Sequence, residues 1–194
     1  MTIYDGPNSG GKASFLLAMP PLKESLFTQS VILMAESNDS GALGFIINIP
    51  TGTLVKDALR IMDMDFNQTF DFPILYGGPV QNDFFWLIHS PEFTGKSTLK
   101  FNENYFLSSA IDIIPLLGEK DCPKIYSAGI GYSGWGENQL DREIEEGSWW
   151  LCDIDTEHLF SVPHKDRWQK AFELLGAHPE HLVDKTNPQA PSIN

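Results

Sequence analysis

Residues 129–136 read Gly129-Ile130-Gly131-Tyr132-Ser133-Gly134-Trp135-Gly136, and how they are interpreted decides the fold. The first six match G-x-G-x-x-G, the turn that seats a dinucleotide pyrophosphate on a helix N-terminus in a doubly wound sheet. A strand predicted over 124–130 precedes them, a helix follows, and Asp153 stands at about the spacing of a ribose-binding acid. Three features argue against that reading. The third glycine leads into Trp135-Gly136 rather than directly into a helix. The helix predicted from Glu137 to Glu146 carries Glu137, Asp141, Glu143, Glu145 and Glu146 against Arg142, so its own acids compete for the amides a phosphate needs. Too little chain follows Asp153 for the further crossover units of a dinucleotide domain. The stretch reads instead as a glycine-rich strand-to-helix turn, and no cofactor is expected. Ser133 imitates a nucleophile elbow, but G-x-S-x-G requires glycine where Trp135 stands.

Working outward, apolar runs at 15–19, 31–35 and 44–48 read as strands, with Ser37-Asn38-Asp39-Ser40-Gly41 as a hairpin turn joining the second and third. Helical spacing of Leu54, Val55, Ala58, Leu59 and Met62 predicts a helix over 53–64, capped by Thr53. Further strands are expected at 72–76, 84–90, 98–101 and 148–154, and a helix at 109–117. Trp168, Ala171, Phe172 and Leu175 place the last helix at 165–175, with Gly176 as its terminating glycine. Runs of strands with occasional helices indicate an α+β domain over 1–176. Residues 177–194, with three prolines and few large apolar groups, read as a mobile C-terminal tail.

The chain has 194 residues, 42% hydrophobic, with a net charge of −13. That composition is too apolar for disorder and too interrupted for a membrane span. The acidic balance disfavours direct nucleic-acid binding, which needs a basic stripe. Met1-Thr2-Ile3-Tyr4-Asp5 lacks the basic start of a secretory signal, so a cytoplasmic location is expected. Cys122 and Cys152 read as free thiols.

Other motifs are incomplete. Gly6 to Lys12 has Walker A spacing, but Ala13 replaces the magnesium-binding hydroxyl; Gly95-Lys96-Ser97 has Ser90 where the first glycine belongs. Asp153, Asp155 and Glu157 begin an EF-hand pattern that fails at His158 and His164, and Asp155 reads instead as a helix cap. His178 and His181 lack a second ligand pair, so no metal site is expected. His89 closes an apolar strand without an identifiable partner acid and reads as a satisfied, partly buried histidine.

An ordered set of short pieces runs from residue 14 to 176. It comprises Leu17-Ala18-Met19-Pro20-Pro21-Leu22, Phe27, Ser30-Val31, Gly41-Ala42-Leu43-Gly44, Asn48 with Pro50, and Gly77-Gly78-Pro79-Val80. Leu87-Ile88-His89-Ser90, residues 131–136 with Gln139-Leu140, Arg167-Trp168 and Leu175-Gly176 complete it. In this order they resemble the bacterial AlgH, or YqgE-like, family. The resemblance implies an α+β fold whose bifurcated, mostly antiparallel sheet curls into a pseudo-barrel with helices packed around it. It also brings a transcriptional-regulator label, with no established activity, cofactor or DNA-reading element. The chain departs from the family pattern at Ser25 (usually proline), Ile49 (usually basic) and Asn138 (usually glycine). Asn138 is compatible with a left-handed backbone.

Asn48, Gly77, Gly78, His89, Ser133, Trp135 and Gln139 form the candidate ligand or partner site, with glycines for close backbone approach and side chains for donors and an aromatic wall. The competing structural role is that the glycines bend the sheet and Trp135 plugs the barrel. The leading functional expectation is a non-catalytic regulatory or binding module for a protein or small-molecule partner. A hydrolase using Ser133 or His89 is the first alternative, and it requires those two side chains to meet. A DNA-binding regulator is the second.

Overall fold

The glycine-rich stretch lies inside a strand, not at its end. In a computed structural model, which describes residues 11–20, 22, 25–61, 70–116, 119–120 and 122–182, strand β9 runs without interruption over Ile125–Trp135. The other strands are β1 (Lys12–Ala18), β2 (Val31–Asn38), β3 (Gly41–Ile46), β4 (Pro50–Leu54), β5 (Pro73–Tyr76), β6 (Val80–His89), β7 (Leu99–Lys100), β8 (Phe106–Ser109) and β10 (Trp149–Asp155). The turn expected after Ile130 is therefore corrected to continuous strand.

That length makes the sheet fork. The backbone path is β10-β1-β2-β3-β9-β6-β8-β7, with β4 and β5 branching off. β9 pairs along its length with β6, antiparallel. On its other edge, residues 128–130 pair in parallel with β5, while residues 133–135 pair antiparallel with β3. The partner changes at Gly131-Tyr132, where Gly131 has φ +70°. The result is a curled, mostly antiparallel half-barrel with a few helices, an α+β fold.

Strands 1 to 3 read as unbroken apolar runs because both of their faces are covered. Phe15, Leu17, Val31, Leu33 and Phe45 point into the curl with Trp86, Ile88, Trp168 and Phe172. The alternate residues Leu16, Ala18, Ile32, Met34 and Ile46 pack with Trp135, Leu140 and Trp149 on the opposite face. A third cluster joins Val55 and Leu59 of α1 (Val55–Ile61) and Ala110 and Ile113 of α2 (Ala110–Ile113) to Ile74, Leu87 and Ala128.

The β2–β3 hairpin forms as expected, Asn38 opposite Gly41. The first helix begins later than predicted, because residues 50–54 pair with β5 as β4 and Thr53 does not cap it; Met62 to Met64 lie outside the described residues. The helix expected over 109–117 is α2 followed by a 3-10 turn, Ile114–Leu116. The acidic helix, α3, covers Gln139–Glu145 and is entered through Asn138 at φ +55°. α4 spans Thr156–Phe160, with the Asp155 side chain accepting from the His158 amide as its cap.

The last long helix, α5, spans Arg167–Leu174. Gly176 donates to the Glu173 carbonyl and Ala177 to Phe172, the paired bonds of a Schellman ending. Beyond it, α6 (Pro179–Leu182) follows, and Leu182 packs against the main core. Residues 183–194 of the expected tail lie outside the described residues. Among the described residues no helix is long and apolar enough to cross a membrane.

Candidate functional site

Gly77, Gly78 and Ser133 meet where the sheet forks. The Gly77 amide donates to Ile130 at 2.8 Å, and its carbonyl accepts from the Ile46 amide at 2.9 Å and the Ser133 hydroxyl at 3.1 Å. A Cβ on Gly77 would strike the Gly131 carbonyl, and one on Gly78 the Tyr132 backbone, both inside the 3.0 Å that real contacts exclude. Backbone is thus packed on backbone, and the groups that a ligand would use are spent on tying β3, β5, β6 and β9 together. Ser133 is 1% exposed.

Asn48 follows β3 but faces away from the fork. Its side-chain oxygen accepts from the Val31 amide at 2.7 Å, and its nitrogen donates to the Gln29 carbonyl at 2.8 Å. Both ends are engaged in holding the 29–31 turn, where Gln29 has φ +54°.

Trp135 and Gln139 belong to a different assembly, centred on Glu143. The indole N–H groups of Trp135 and Trp149 both donate to Glu143 Oε2, at 2.9 and 2.7 Å, and the Gln139 amide donates to Oε1 at 2.9 Å. Gln139 also accepts from the Gly136 amide at 3.0 Å. The two indoles meet edge to face with centroids 6.0 Å apart. Glu143, one of the acids of the helix predicted from Glu137 to Glu146, is the hub that fixes α3 on the sheet. A carboxylate six and eight residues from two tryptophans was the available signal.

His89 is fully buried at the far end of β6. Its Nδ1 lies 2.7 Å from the Ser90 carbonyl, which can only accept, so Nδ1 carries the proton. Nε2 then accepts from Ser108 Oγ at 3.0 Å. Thr98 Oγ1 donates to Ser108 at 2.7 Å and accepts from the Gly95 amide at 2.7 Å. Burial holds the His89 pKa below the ordinary histidine value, opposed by the Ser90 bond and the Glu92 charge. The Ser108–His89 pair has the hydrogen bond of a nucleophile and base, but both residues are completely buried. Ser133 is remote from it: His89 pairs with Ile125, at the opposite end of β9, roughly 26 Å away at ~3.3 Å per strand residue. The meeting of Ser133 and His89 on which the hydrolase alternative depends does not occur.

A groove of about 590 Å³ lies beside the Ser90 end of β6, lined by aromatic and charged residues that sequence reading missed. Tyr105 stacks on Phe160 at 5.1 Å and meets Tyr126 at 4.7 Å. Lys124 places its ammonium 4.8 Å from the Tyr126 ring centre, and Arg167 lies 4.5 Å from that of Phe160. Glu92, Asn104 and Glu157 complete the rim. Burial pushes the Tyr105 phenol up to about 12, reinforced by Tyr126, Glu157 and Asp155 and opposed by Arg167. Tyr126 is raised too, by burial and then by Glu92 and Glu157. The Arg167 guanidinium is lowered to about 10 by burial. It donates to the Ile47 carbonyl at 2.5 Å, and its Nε has no hydrogen-bond partner among the described residues. The rings come from 105, 126 and 160, too far apart in sequence for any local pattern to unite them.

Comparison with known proteins agrees with this architecture. The AlgH-like family model matches residues 15–180. A UPF0301 protein of Aliivibrio salmonicida is 35% identical over 177 residues, covering 88% of this chain and 95% of the relative. One from Vibrio cholerae is 34% identical over 174 residues, covering 87% and 93%. The solution structure of AlgH from Pseudomonas aeruginosa matches with a TM-score of 0.72 at 29% identity, covering 93% of this chain and 95% of that one. A crystal structure of a Corynebacterium diphtheriae protein shares the fold, with a TM-score of 0.60 at 16% identity over 86% of this chain and 88% of its own. With the forked sheet, the family model and the curated relatives in agreement, the chain belongs to the AlgH-like family.

Proposed function

We propose that the protein is a non-catalytic binding module, and that its recognition surface is the groove between Ser90, the start of β9 and α4. The observation that carries this reading is the contrast between two regions. The glycines and Ser133 at the fork, and Asn48 at the 29–31 turn, bond to the protein's own backbone. At the groove, Tyr105, stacked on Phe160 and tilted against Tyr126, lines an open cleft bordered by charges of both signs. Rigid rings lose little entropy when a ligand packs on them.

The test is a thermal-shift screen against metabolites, nucleotides and metal ions, followed by the Tyr126→Ala variant. A ligand at ~100 times its dissociation constant stabilises by about 2.7 kcal/mol, and that gain is expected to disappear in the variant. Ligands whose effect survives Tyr126→Ala, or substrate turnover abolished by His89→Gln, overturn the reading.

A further inference from the structure

Tyr105 is 6% exposed, yet among the described residues no group of the chain hydrogen-bonds its hydroxyl. Among the described residues the enclosed unpartnered polar atoms are Ser30 Oγ and Arg167 Nε, so the Tyr105 oxygen opens to the groove it lines, where a ligand can supply the partner a phenol ordinarily finds. The charges around it are mixed, with carboxylates in the majority: Glu157 and Asp155 act on Tyr105 against Arg167, and Glu92 and Glu157 act on Tyr126. The same aromatic surface already accepts an ammonium, since Lys124 rests on the face of Tyr126. The net charge of −13 attracts cations to the whole molecule.

Building on the binding-module reading, we infer that the groove takes a small aliphatic polyamine, one ammonium seated among the hydroxyls of Tyr105 and Tyr126 and the carboxylates of Glu92 and Glu157. An ammonium has three donors and no acceptor, which suits phenol oxygens and carboxylates and requires nothing from a catalytic group. Lys124 acts as the internal competitor. It holds one ring face until an external amine displaces it.

The test is calorimetric titration of the full chain with spermidine, with a short oligolysine peptide as a second arm. One-to-one spermidine binding is expected, weakened about tenfold by Glu157→Gln and also by Tyr105→Phe. The second variant keeps both the stack and the net charge, so it separates seating in the groove from diffuse attraction. Lys124→Met is expected to tighten binding, whereas a groove built for an anion would lose affinity. Spermidine binding indifferent to Tyr105→Phe, weakening by Lys124→Met, or binding of oligolysine without spermidine each overturns the assignment. A different ligand that stabilises the protein through Tyr126 while spermidine does not bind removes the polyamine and leaves the binding-module reading standing.

Discussion

The Trp86 indole donates its N–H to the Gly131 carbonyl at 2.8 Å. Trp86 is fully buried on β6, and its ring lies where any side chain on Gly129 would be. One tryptophan thus covers one glycine of β9 and pins the carbonyl of the next but one, at the place where β9 exchanges β5 for β3.

Gly131→Ala is therefore expected to destabilise the fold by about 1–3 kcal/mol. Its φ of +70° is costly for alanine, and the added carbon would strike the Gly78 carbonyl. Urea unfolding checks this. A variant as stable as the parent would show that the fork tolerates a side chain at its pivot.

Glu143→Ala removes one acceptor shared by two indoles and a second used by Gln139. Leaving the two buried indole donors unpaired costs ~1–3 kcal/mol each, so a loss of about 2–6 kcal/mol is expected in chemical unfolding. A changed near-ultraviolet dichroism from Trp135 and Trp149 should accompany it. Glu143→Gln retains one acceptor and should cost less.

Legibility followed the range of the signal. The hairpin turn at 37–41 and the Gly176 helix stop are local chemistry, and both formed as read. Glycine usually marks a turn, so the sequence reads β9 as ending at Ile130, whereas here the missing Cβ atoms let Gly77 and Gly78 press on the strand. The end of β4 reads as part of the helix after it, since Leu54 and Val55 fit a helical stripe while the pairing of Pro50 with Leu75 is non-local. Of the proposed site residues, chain order alone suggested that Trp135 and Gln139 lie together. Their dependence on Glu143 required the tertiary fold, as did the ring stack of Tyr105, Tyr126 and Phe160.

Cys152 offers a chemical probe of the β1–β10 pairing. Burial, and secondarily Asp153, push its thiol up to about 12, so the thiolate fraction is roughly one in a hundred thousand at about pH 7 and about one in ten thousand at about pH 8. Native protein should leave Cys152 unmodified by iodoacetamide over a period in which urea-unfolded protein reacts fully. Peptide mapping by mass spectrometry distinguishes it from Cys122, and rapid native labelling of Cys152 would show that the β1–β10 edge opens readily.

The His89 relay makes stability depend on pH. The chain of donors runs from the Gly95 amide through Thr98 and Ser108 to His89, and on to the Ser90 carbonyl. Protonating Nε2 turns it into a donor facing Ser108, which must then give its own proton to Thr98 and break the sequence. Burial lowers the folded pKa below the ordinary 6.5, so the unfolded chain takes up the proton first as pH falls. The contribution of His89 is complete above that ordinary value. It declines below it, by no more than ~1.4 kcal/mol per pH unit, until the folded pKa is passed. Unfolding free energies at about pH 7.5 and about pH 5.5 should fall more steeply for the parent than for His89→Gln. His164, whose pKa burial also lowers, is common to both proteins and cancels. Should the variant fail to fold, titration of the His89 imidazole by NMR in the intact protein decides the matter, and a midpoint at or above 6.5 contradicts the relay.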